Sequence, residues 1–458
     1  MTDPRNQAER RAHGKSLRKD AARSSHGQWS APADRPDPVD VITSQNASRL
    51  QSLVPIRHWR MAQSPFTFYR GAAKLMALDL ATTPVTGLTA QICGDAHLSN
   101  FGVYGSPERE LVFDINDFDE TLPGPWEWDV KRLCASFAIA ARHRGFDKQQ
   151  QALATEAAAA YRQATASFAE MSYLDAWYSR INTDDIYQAF ADQMTKKEAK
   201  RGRKFIAKSK GKDSLHALSK LAEQVDGSYR IVAQPPLIVP LRDILEAAGT
   251  ELSEETMKAE LEDYLASVPD HMEVLLGRYT PVDSALKVVG VGSVGTRSAI
   301  VLLQGRDADD PLFLQVKEAG RSVLEDHLPA SKYENHGQRV VEGQRLMQAA
   351  SDSFLGWNRG QVTGTHYYWR QLKDMKASPD IDKASADALS RYARLCGWTL
   401  ARAHSRSGSA TGIAGYLGSG KVFDRALGDF AVAYADQNES DFTAFEKAIE
   451  SGRIEAHE

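Results

Sequence analysis

Residues 92–105 read "ICGDAHLSNFGVYG", and residues 111–120 read "LVFDINDFDE". The first stretch brings Asp95, His97 and Asn100 together within six residues, between apolar edges that are typical of β-strands. We therefore predict a strand–loop–strand unit whose polar side chains gather in the loop. Aspartate and asparagine also stabilise tight turns, so a purely structural role for this loop remains an alternative.

The same two stretches carry the residue types that phosphoryl transfer requires. An aspartate orients the attacking hydroxyl, while an asparagine and a second aspartate hold the magnesium that bridges the nucleotide phosphates. On this pattern Asp95 is predicted to be the base, and Asn100 and Asp117 the magnesium ligands. Asp114 is the fallback ligand if the strand register differs. His97 is predicted either to pack the loop or to shape the site.

A glycine-rich string, "VVGVGSVGTR" over residues 288–297, contains Gly290, Gly292, Ser293 and Gly295. This G-x-G-x-x-G pattern occurs both in dinucleotide-binding turns and in kinase phosphate flaps. A dinucleotide-binding turn needs a helix that begins at the glycines, but the following "SAIVLLQG" is typical of a strand. The pattern therefore favours a flap between antiparallel strands, with a plain hairpin turn as the alternative.

Lys317 lies alone inside the apolar stretch "LFLQVKEA" over residues 312–319. A buried ammonium is costly unless an anion meets it, so we predict a role in binding nucleotide phosphates together with a helix glutamate. Glu342 is the leading candidate for that glutamate, and Glu334 and Glu318 compete with it. An exposed lysine on an edge strand is the alternative.

A group of basic residues precedes the polar loop. Arg57, His58, Arg60 and Arg70 lie close together in sequence, and guanidinium groups bind phosphate and carboxylate well. Arg70 is the preferred residue for binding an anionic substrate. A structural ion pair is the alternative for each of the arginines.

The composition excludes several classes of protein. The chain has 458 residues, 42% of them hydrophobic, and a formal net charge of −4, so no global charge attracts nucleic acid. The basic run "KKEAKRGRKFIAKSKGK" over 196–212 keeps nucleic acid as a minor option. Its three cysteines show neither a disulfide framework nor zinc spacing. We expect a cytoplasmic protein without a signal peptide or membrane span.

The chain divides by pattern into five predicted segments. The first is a polar, arginine-rich arm that cannot bury enough apolar surface to offset its ordering entropy. The segments are a flexible arm at 1–45, a helical lobe with the catalytic and metal-binding loops at 46–240, a helical connector at 241–280, a β-rich nucleotide-binding lobe at 281–378, and C-terminal helices packed on the helical lobe at 379–458.

Several motifs resemble the bacterial domain-of-unknown-function 2252 family. They cover nearly the whole chain after residue 45 and are "FYRG", "CGDAHLSNFG", "FDINDFDE", "KVVGVGSVGTR", "RVVEGQRLMQAASDSFLGW", "RQLKDMK" and "LARAHSRSG". That family looks related to the protein-kinase-like superfamily, which implies a two-lobed α+β fold that binds ATP and Mg²⁺. The stretch "DFDETLPGPWEWD" is similar to aminoglycoside and choline kinases, which implies that Asp129 holds the loop backbone. "YYWRQLKDMK" would then be the strand that runs into the hinge.

The order of the motifs departs from that of ordinary kinases. Kinases run from flap and lysine to catalytic loop, whereas here the loop at 94–117 precedes the flap by almost two hundred residues. A circular permutation explains this order, and two separate sites are the alternative. The predicted function is ATP-dependent phosphotransfer to a small-molecule or protein acceptor. Nucleotidyl transfer and a non-catalytic nucleotide-binding scaffold are the other hypotheses.

Overall fold

The structure is a computed structural model that describes residues 5–211, 214–225, 227–247, 254–288, 290, 292–361, 364–372 and 375–458. Parts of several predicted segments therefore lie outside the described residues. These parts are residues 1–4 of the arm, 212, 213 and 226 of the helical lobe, of which 212 ends the basic run, 248–253 of the connector, 289 and 291 of the glycine string, and 362–363 and 373–374 of the β-rich segment.

The described residues form a mixed α+β fold, as predicted. The α-helices are α1 Gln7–Ser16, α2 Pro38–Asn46, α3 Val54–Met61, α4 Pro65–Gly71, α5 Ala73–Leu80, α6 Trp126–His143, α7 Gln150–Glu170, α8 Tyr173–Tyr178, α9 Thr183–Phe190, α10 Lys196–Lys210, α11 Ser214–Leu221, α12 Leu241–Ala247, α13 Glu254–Leu265, α14 Asp270–Leu276, α15 His336–Met347, α16 Ala386–Ser405, α17 Ala410–Leu417 and α18 Val422–Glu450.

Four antiparallel sheets accompany these helices. The strands are β1 Thr89–Ile92, β2 Phe101–Gly105, β3 Leu111–Ile115, β4 Leu122–Pro125, β5 Ile181–Asn182, β6 Ala222–Val225, β7 Ser228–Ile231, β8 Ile238–Pro240, β9 Thr280–Lys287, β10 Ser298–Gln304, β11 Pro311–Glu318, β12 Gly356–Arg359 and β13 His366–Gln371. The largest sheet has the order β12-β13-β11-β10-β9-β8, and the smaller ones are β2-β3-β5, β1-β4 and β6-β7.

A helical region surrounds the largest apolar core. It comprises α1 to α10, β1 to β5 and α16 to α18, and its centre is α6, which is buried along nearly its whole length. Helices α7, α16 and α18 pack around α6 and bury alanines and aromatic rings against it. This packing provides a rigid support for the loop between β1 and β2, which carries Asp95 and Asn100.

A sheet region contains the six-stranded sheet with α11 to α15, β6 and β7. Alternate residues of β11 face opposite sides, so Leu312 and Leu314 pack in one core and Phe313 in another. By the same alternation, Lys317 projects on the side of Phe313. The register places Lys317 opposite Ser298 of β10 and Tyr368 of β13.

The N-terminal arm differs from the prediction of a flexible segment. Helix α1 packs on α17, and α2 buries Val39 and Ile42. The arginines that suggested disorder bind instead, since Arg18 donates to the carbonyl oxygens of Tyr416 and Gly415 at the C-terminal end of α17. Composition alone underestimates how ordered such a segment is, because its cations bind the carbonyl groups at a helix C-terminus without adding apolar surface.

The predicted boundary at residue 240 also differs from the structure. Residues 214–240 pack with the sheet region, where Leu218, Ile231 and Ile238 join the core formed by β9, β10 and β11. The prolines at 235–236 interrupt helix, as expected, but they lead into β8, the edge strand that pairs with β9. None of the helices in the described ranges combines the length and apolar character needed to cross a bilayer.

Candidate functional site

The loop between β1 and β2 is held at its start by a carboxylate. Asp129 on α6 accepts hydrogen bonds from the backbone N–H groups of Cys93, at 2.8 Å, and of Gly94, at 2.9 Å. Gly94 has a φ of +78°, and a Cβ there would lie 2.6 Å from the carbonyl oxygen of Glu120. Only glycine fits this tight passage, and the role expected for Asp129 agrees with these contacts.

A C-terminal helix supports the same loop. The Tyr392 hydroxyl on α16 donates to the carbonyl oxygens of Leu98, at 2.8 Å, and Phe101, at 3.0 Å. Further along α16, the His404 Nε2 lies 3.3 Å from an oxygen of Asp129. The last third of the chain therefore fixes a loop that lies in the first quarter.

Asp95 presents one carboxylate oxygen to the site. Its Oδ1 accepts a 2.6 Å hydrogen bond from Arg132 Nε, while its Oδ2 lies 3.7 Å from His97 Nε2. Burial raises the pKa of Asp95 above the usual aspartate value, although Arg132 opposes the shift. A carboxylate with one oxygen fixed and the other facing a cavity can accept a proton from a neighbouring hydroxyl.

Asn100 and Asp117 come together at the end of the β2–β3 pair. The Asn116 backbone N–H donates to the carbonyl oxygen of Asn100 at 2.8 Å, and Asp117 follows directly. The Asn100 side-chain amide nitrogen donates to the Asp95 carbonyl oxygen at 2.7 Å, which leaves the amide oxygen as the ligand atom. Burial and the neighbouring Asp119 raise the pKa of Asp117, so an added cation at this point would favour its ionised form.

Asp114 does not serve as the fallback metal ligand. Its carboxylate is buried in β3 and forms an ion pair with Arg402 of α16. It also accepts hydrogen bonds from the backbone N–H groups of Ile115, at 2.8 Å, and Ala349, at 3.1 Å. These contacts occupy both oxygens, so Asp114 joins α16 to the sheet.

Lys317 forms an ion pair with Asp119 and not with Glu342. The Lys317 Nζ lies 2.6 Å from Asp119 Oδ2, and the Tyr368 hydroxyl donates to Asp119 Oδ1 at 2.6 Å. Burial alone would lower the pKa of Lys317, but the charge of Asp119 leaves it above the usual lysine value. Glu342 faces away and pairs with Arg345 at 2.8 Å.

Helix α15 contacts the backbone beside Lys317 and Asp119 through an arginine. Arg339, one turn before Glu342 on α15, donates to the carbonyl oxygens of Asp119, at 2.8 Å, and Gly320, at 2.9 Å. Of the two competing glutamates, Glu318 pairs with Arg297 at 3.2 Å. The helix therefore holds the backbone beside Lys317 through a cation instead of offering it an anion.

Gly290 and residues 292–295 of the glycine string lie between β9 and β10; we call them the glycine turn, and they lie beside the polar loop. Arg60 Nη1 donates to the Gly290 carbonyl oxygen at 2.6 Å, and the Leu50 N–H donates to the Gly295 carbonyl oxygen at 2.8 Å. Ser293 Oγ lies 3.5 Å from Asp119 Oδ2, so the turn also touches the Lys317 ion pair.

Two adjoining cavities collect these residues. The smaller, of about 200 Å³, is lined by several of the predicted residues, namely Arg70, Asp95, His97, Asn100, Asp117, Gly290, Gly292 and Ser293. The larger, of about 750 Å³, is lined by Lys317 and shares Asp117, Gly290 and Ser293 with the smaller one. The polar loop, which lines the smaller cavity, and the strand β11, which carries Lys317, therefore lie on two cavities that share residues.

Two basic residues of the "RQLKDMK" motif line the larger cavity, although the sequence patterns predicted no binding role for them. Arg370, the next-to-last residue of β13, donates to Gln315 Oε1 at 3.0 Å, and Lys376 follows the strand. Burial and the charge of Arg370 lower the pKa of Lys376 to about 7. With Lys317, they give this cavity a basic side that suits an anion, while Asp117, Asp309, Asp310 and Asp352 also line it.

The upstream basic residues separate into structural and candidate binding groups. Arg57 is buried and donates to Asn46 and to the Gly71 carbonyl oxygen, and His58 contacts Asn46 and the Glu455 carbonyl oxygen. Arg60 holds the glycine turn. Arg70 is the member of this group that lines the smaller cavity.

The donor set beside the smaller cavity fits a hard divalent cation. Asp117 offers a carboxylate and Asn100 an amide oxygen, which are ligand types that Mg²⁺ accepts. In the part of the chain that the structure describes, no three His, Cys, Asp or Glu side chains come together as a metal cluster. Mg²⁺ commonly takes only one or two protein carboxylates and completes its shell with water and substrate phosphates.

Comparison with known proteins gives one match. The model of the family described as "Uncharacterized protein conserved in bacteria (DUF2252)" matches residues 49–448. No curated protein and no solved structure matches the chain. Because the match spans most of the sequence, the chain belongs to the domain-of-unknown-function 2252 family.

Proposed function

We propose that this protein transfers a phosphoryl group from Mg²⁺–ATP to the hydroxyl of an acceptor, in a kinase-like site whose motifs are circularly permuted. The observation that carries the proposal is the 2.6 Å ion pair between Lys317 and Asp119. It joins the segment that follows β3, which also carries Asp117, to the late lysine strand beside the glycine turn. A phosphotransferase needs these three parts in one cleft.

Two contacts support the permuted order. Helix α16 braces the polar loop through Tyr392, as expected of the helix that precedes the catalytic loop in an unpermuted chain. After β13, Ala377 pairs with Val103 of β2 through two hydrogen bonds of 2.8 and 2.9 Å. The chain thus passes directly from the six-stranded sheet to the polar loop's own sheet, as a hinge between two lobes would.

Asp95 is proposed to accept the proton of the acceptor hydroxyl. The acceptor oxygen then forms a bond to the γ-phosphorus, the bond from that phosphorus to the β–γ bridging oxygen breaks, and ADP leaves with the electron pair. Arg132 fixes Asp95 Oδ1, so Oδ2 is the oxygen that receives the proton. The raised pKa of Asp95 makes it a stronger base than an ordinary aspartate.

Asn100 and Asp117 are proposed to hold Mg²⁺, which would neutralise charge on the transferring phosphate. Lys317 would bind the nucleotide phosphates from the larger cavity, and the backbone at Gly290 and Gly292 would approach them from above. The ion pair between Lys317 and Asp119 keeps the lysine ammonium ionised and in place before the nucleotide binds.

Nucleotidyl transfer is a second candidate, favoured by Arg370 and Lys376. Both cations line the larger cavity, where a kinase would place an uncharged adenine ring. Cations there would instead suit the terminal phosphates of a nucleotide bound in the inverted direction. The AMP moiety would then face Asp95, and the acceptor oxygen would bond to the α-phosphorus as pyrophosphate leaves.

One experiment tests both candidates. The full-length protein, Asp95→Ala, Asp117→Ala and the control Glu342→Gln are incubated with bacterial metabolite and protein extracts and with ATP labelled at the γ- or the α-phosphate. We expect γ-label transfer that falls about 10²- to 10⁴-fold in Asp95→Ala and is kept in Glu342→Gln. Transfer of α-label would favour the nucleotidyl reaction. ATP binding without either transfer would favour a scaffold and would contradict the proposal.

A further inference from the structure

Arg70 has an unusual environment for an arginine beside a catalytic loop. It lies at the end of α4 and lines the smaller cavity together with Asp95 and His97. Among the residues that the structure describes, no hydrogen bond or ion pair reaches its guanidinium, and its Nε is buried. Burial lowers the pKa of Arg70, although the charges of Asp95 and Asp382 oppose the shift, and neither carboxylate forms an ion pair with it. The guanidinium therefore still has room for an anion that comes from a ligand.

The neighbouring cations are already engaged. Arg132 binds Asp95, Arg49 Nη1 donates to the Val294 carbonyl oxygen at 2.6 Å, and Arg321 pairs with Asp326. Arg70 therefore remains as the guanidinium of the smaller cavity that a ligand can bind without breaking a contact within the described chain.

The glycine turn forms the wall of the smaller cavity beside Arg70. Arg49, Leu50 and Arg60 all bond to the glycine turn, as described above, and a Cβ at Gly292 would lie 3.3 Å from the Arg70 carbonyl oxygen. The turn thus packs directly on α4 and forms one wall of the cavity. At about 200 Å³, the cavity is smaller than the pockets of about 300–1,000 Å³ that hold drug-sized ligands.

A second polar atom lies in the same wall. His97 is 3% exposed, and its Nδ1 has no hydrogen-bond partner among the described residues. A neutral imidazole nitrogen can donate to or accept from a ligand hydroxyl or carbonyl group. The cavity wall therefore offers one cation and one neutral hydrogen-bonding group close to the proposed base.

We propose that the acceptor is a small molecule that carries a phosphate or carboxylate group as well as a hydroxyl. Arg70 binds the anionic group, His97 contacts a further polar group, and the hydroxyl faces Asp95. A space of about 200 Å³ suits a small molecule better than a segment of a folded protein. This inference rests on the phosphotransfer function proposed above, since that function defines an acceptor.

Binding of simple anions tests the role of Arg70 without the need to identify the acceptor. Inorganic phosphate and acetate are titrated calorimetrically into the full-length wild type, Arg70→Gln, Arg70→Lys and the control Arg180→Gln, which lines neither cavity. We expect phosphate to bind at least about tenfold more weakly to Arg70→Gln, because a charge-assisted hydrogen bond is lost. Arg70→Lys should retain part of the affinity and Arg180→Gln all of it, and the acetate arm identifies a carboxylate site. Equal phosphate and acetate affinities in wild type and Arg70→Gln would overturn the inference.

A second titration separates the acceptor from the nucleotide. Phosphate should still bind the wild type when a Mg²⁺-bound, non-hydrolysable ATP analogue is present, because the two ligands occupy adjoining cavities. Mutual exclusion would mean that Arg70 holds a nucleotide phosphate, and label that appears only on proteins would exclude a small acceptor. If the ATP analogue does not bind at all while phosphate binding still depends on Arg70, the proposed phosphotransfer fails and the anion site stands.

Discussion

The ion pair between Lys317 and Asp119 permits a quantitative test of how the site is assembled. Asp119→Asn keeps the side-chain size and an acceptor for the Tyr368 hydroxyl but removes the charge that faces Lys317. The Lys317 side chain is 2% exposed, so its ammonium would lose its anion without gaining water. Breaking a buried pair in this way costs about 3–5 kcal/mol, and we expect about 3 kcal/mol because Asp117 remains close.

The reverse change should cost less. Lys317→Met removes the buried cation, while Asp119 is 30% exposed and retains the Tyr368 hydroxyl, so we expect about 1–2 kcal/mol. The double variant removes both charges and should also cost about 1–2 kcal/mol, less than Asp119→Asn alone. The predicted coupling between the two positions is therefore about 3 kcal/mol.

Urea unfolding followed by tryptophan fluorescence measures the change in free energy for all three variants. The matched control is Glu110→Gln, which breaks an exposed pair with Arg180 and should cost less than about 1 kcal/mol. If the cost of the double variant equals the sum of the two single costs within about 0.5 kcal/mol, the side chains do not face each other and the assembled site is refuted.

Three further predictions concern the polar loop and its supports. Asp114→Asn should lower the free energy of unfolding by about 3–5 kcal/mol, because it leaves Arg402 buried without an anion. Calorimetry should show that its Mg²⁺ affinity is unchanged. Loss of Mg²⁺ binding by a folded variant would contradict this prediction. Glu342→Gln breaks a partly exposed ion pair, so it should change the free energy of unfolding by less than about 1 kcal/mol and leave nucleotide affinity unchanged. Weaker nucleotide binding by this variant would mean that Glu342 belongs to the nucleotide site. Turnover should fall with decreasing pH as Asp95 becomes protonated, at a pH above the usual aspartate pKa of about 3.9; a pH–rate profile that is flat down to that value would exclude Asp95 as the base.

Local patterns predicted the elements around the site well. The strand before the loop, the strand at β3, the helix at α15 and the strand at β13 all occur where apolar periodicity indicated them. Asp129 binds the loop backbone, as the resemblance implied. These features depend on short stretches of sequence, where alternation and capping determine the conformation.

The partners of charged side chains could not be predicted in the same way. Lys317 required an anion, and the sequence patterns indicated three candidate glutamates, but in the structure its partner is Asp119. Tyr368 lies directly opposite Lys317, and its hydroxyl binds Asp119 from there. Register arises from tertiary packing, so spacing along the chain could not identify Asp119 in place of Glu342.

The support of the polar loop by α16 has a consequence during synthesis. Tyr392 is made 294 residues after Leu98, the residue whose carbonyl group it binds. On a ribosome, the segment from β1 to β3 leaves the exit tunnel long before this helix exists, and until then it lacks the tyrosine that fixes its conformation. A product truncated before α16 should therefore lack the hydroxyl group that fixes this loop, and its polar loop should be less ordered than in the full chain.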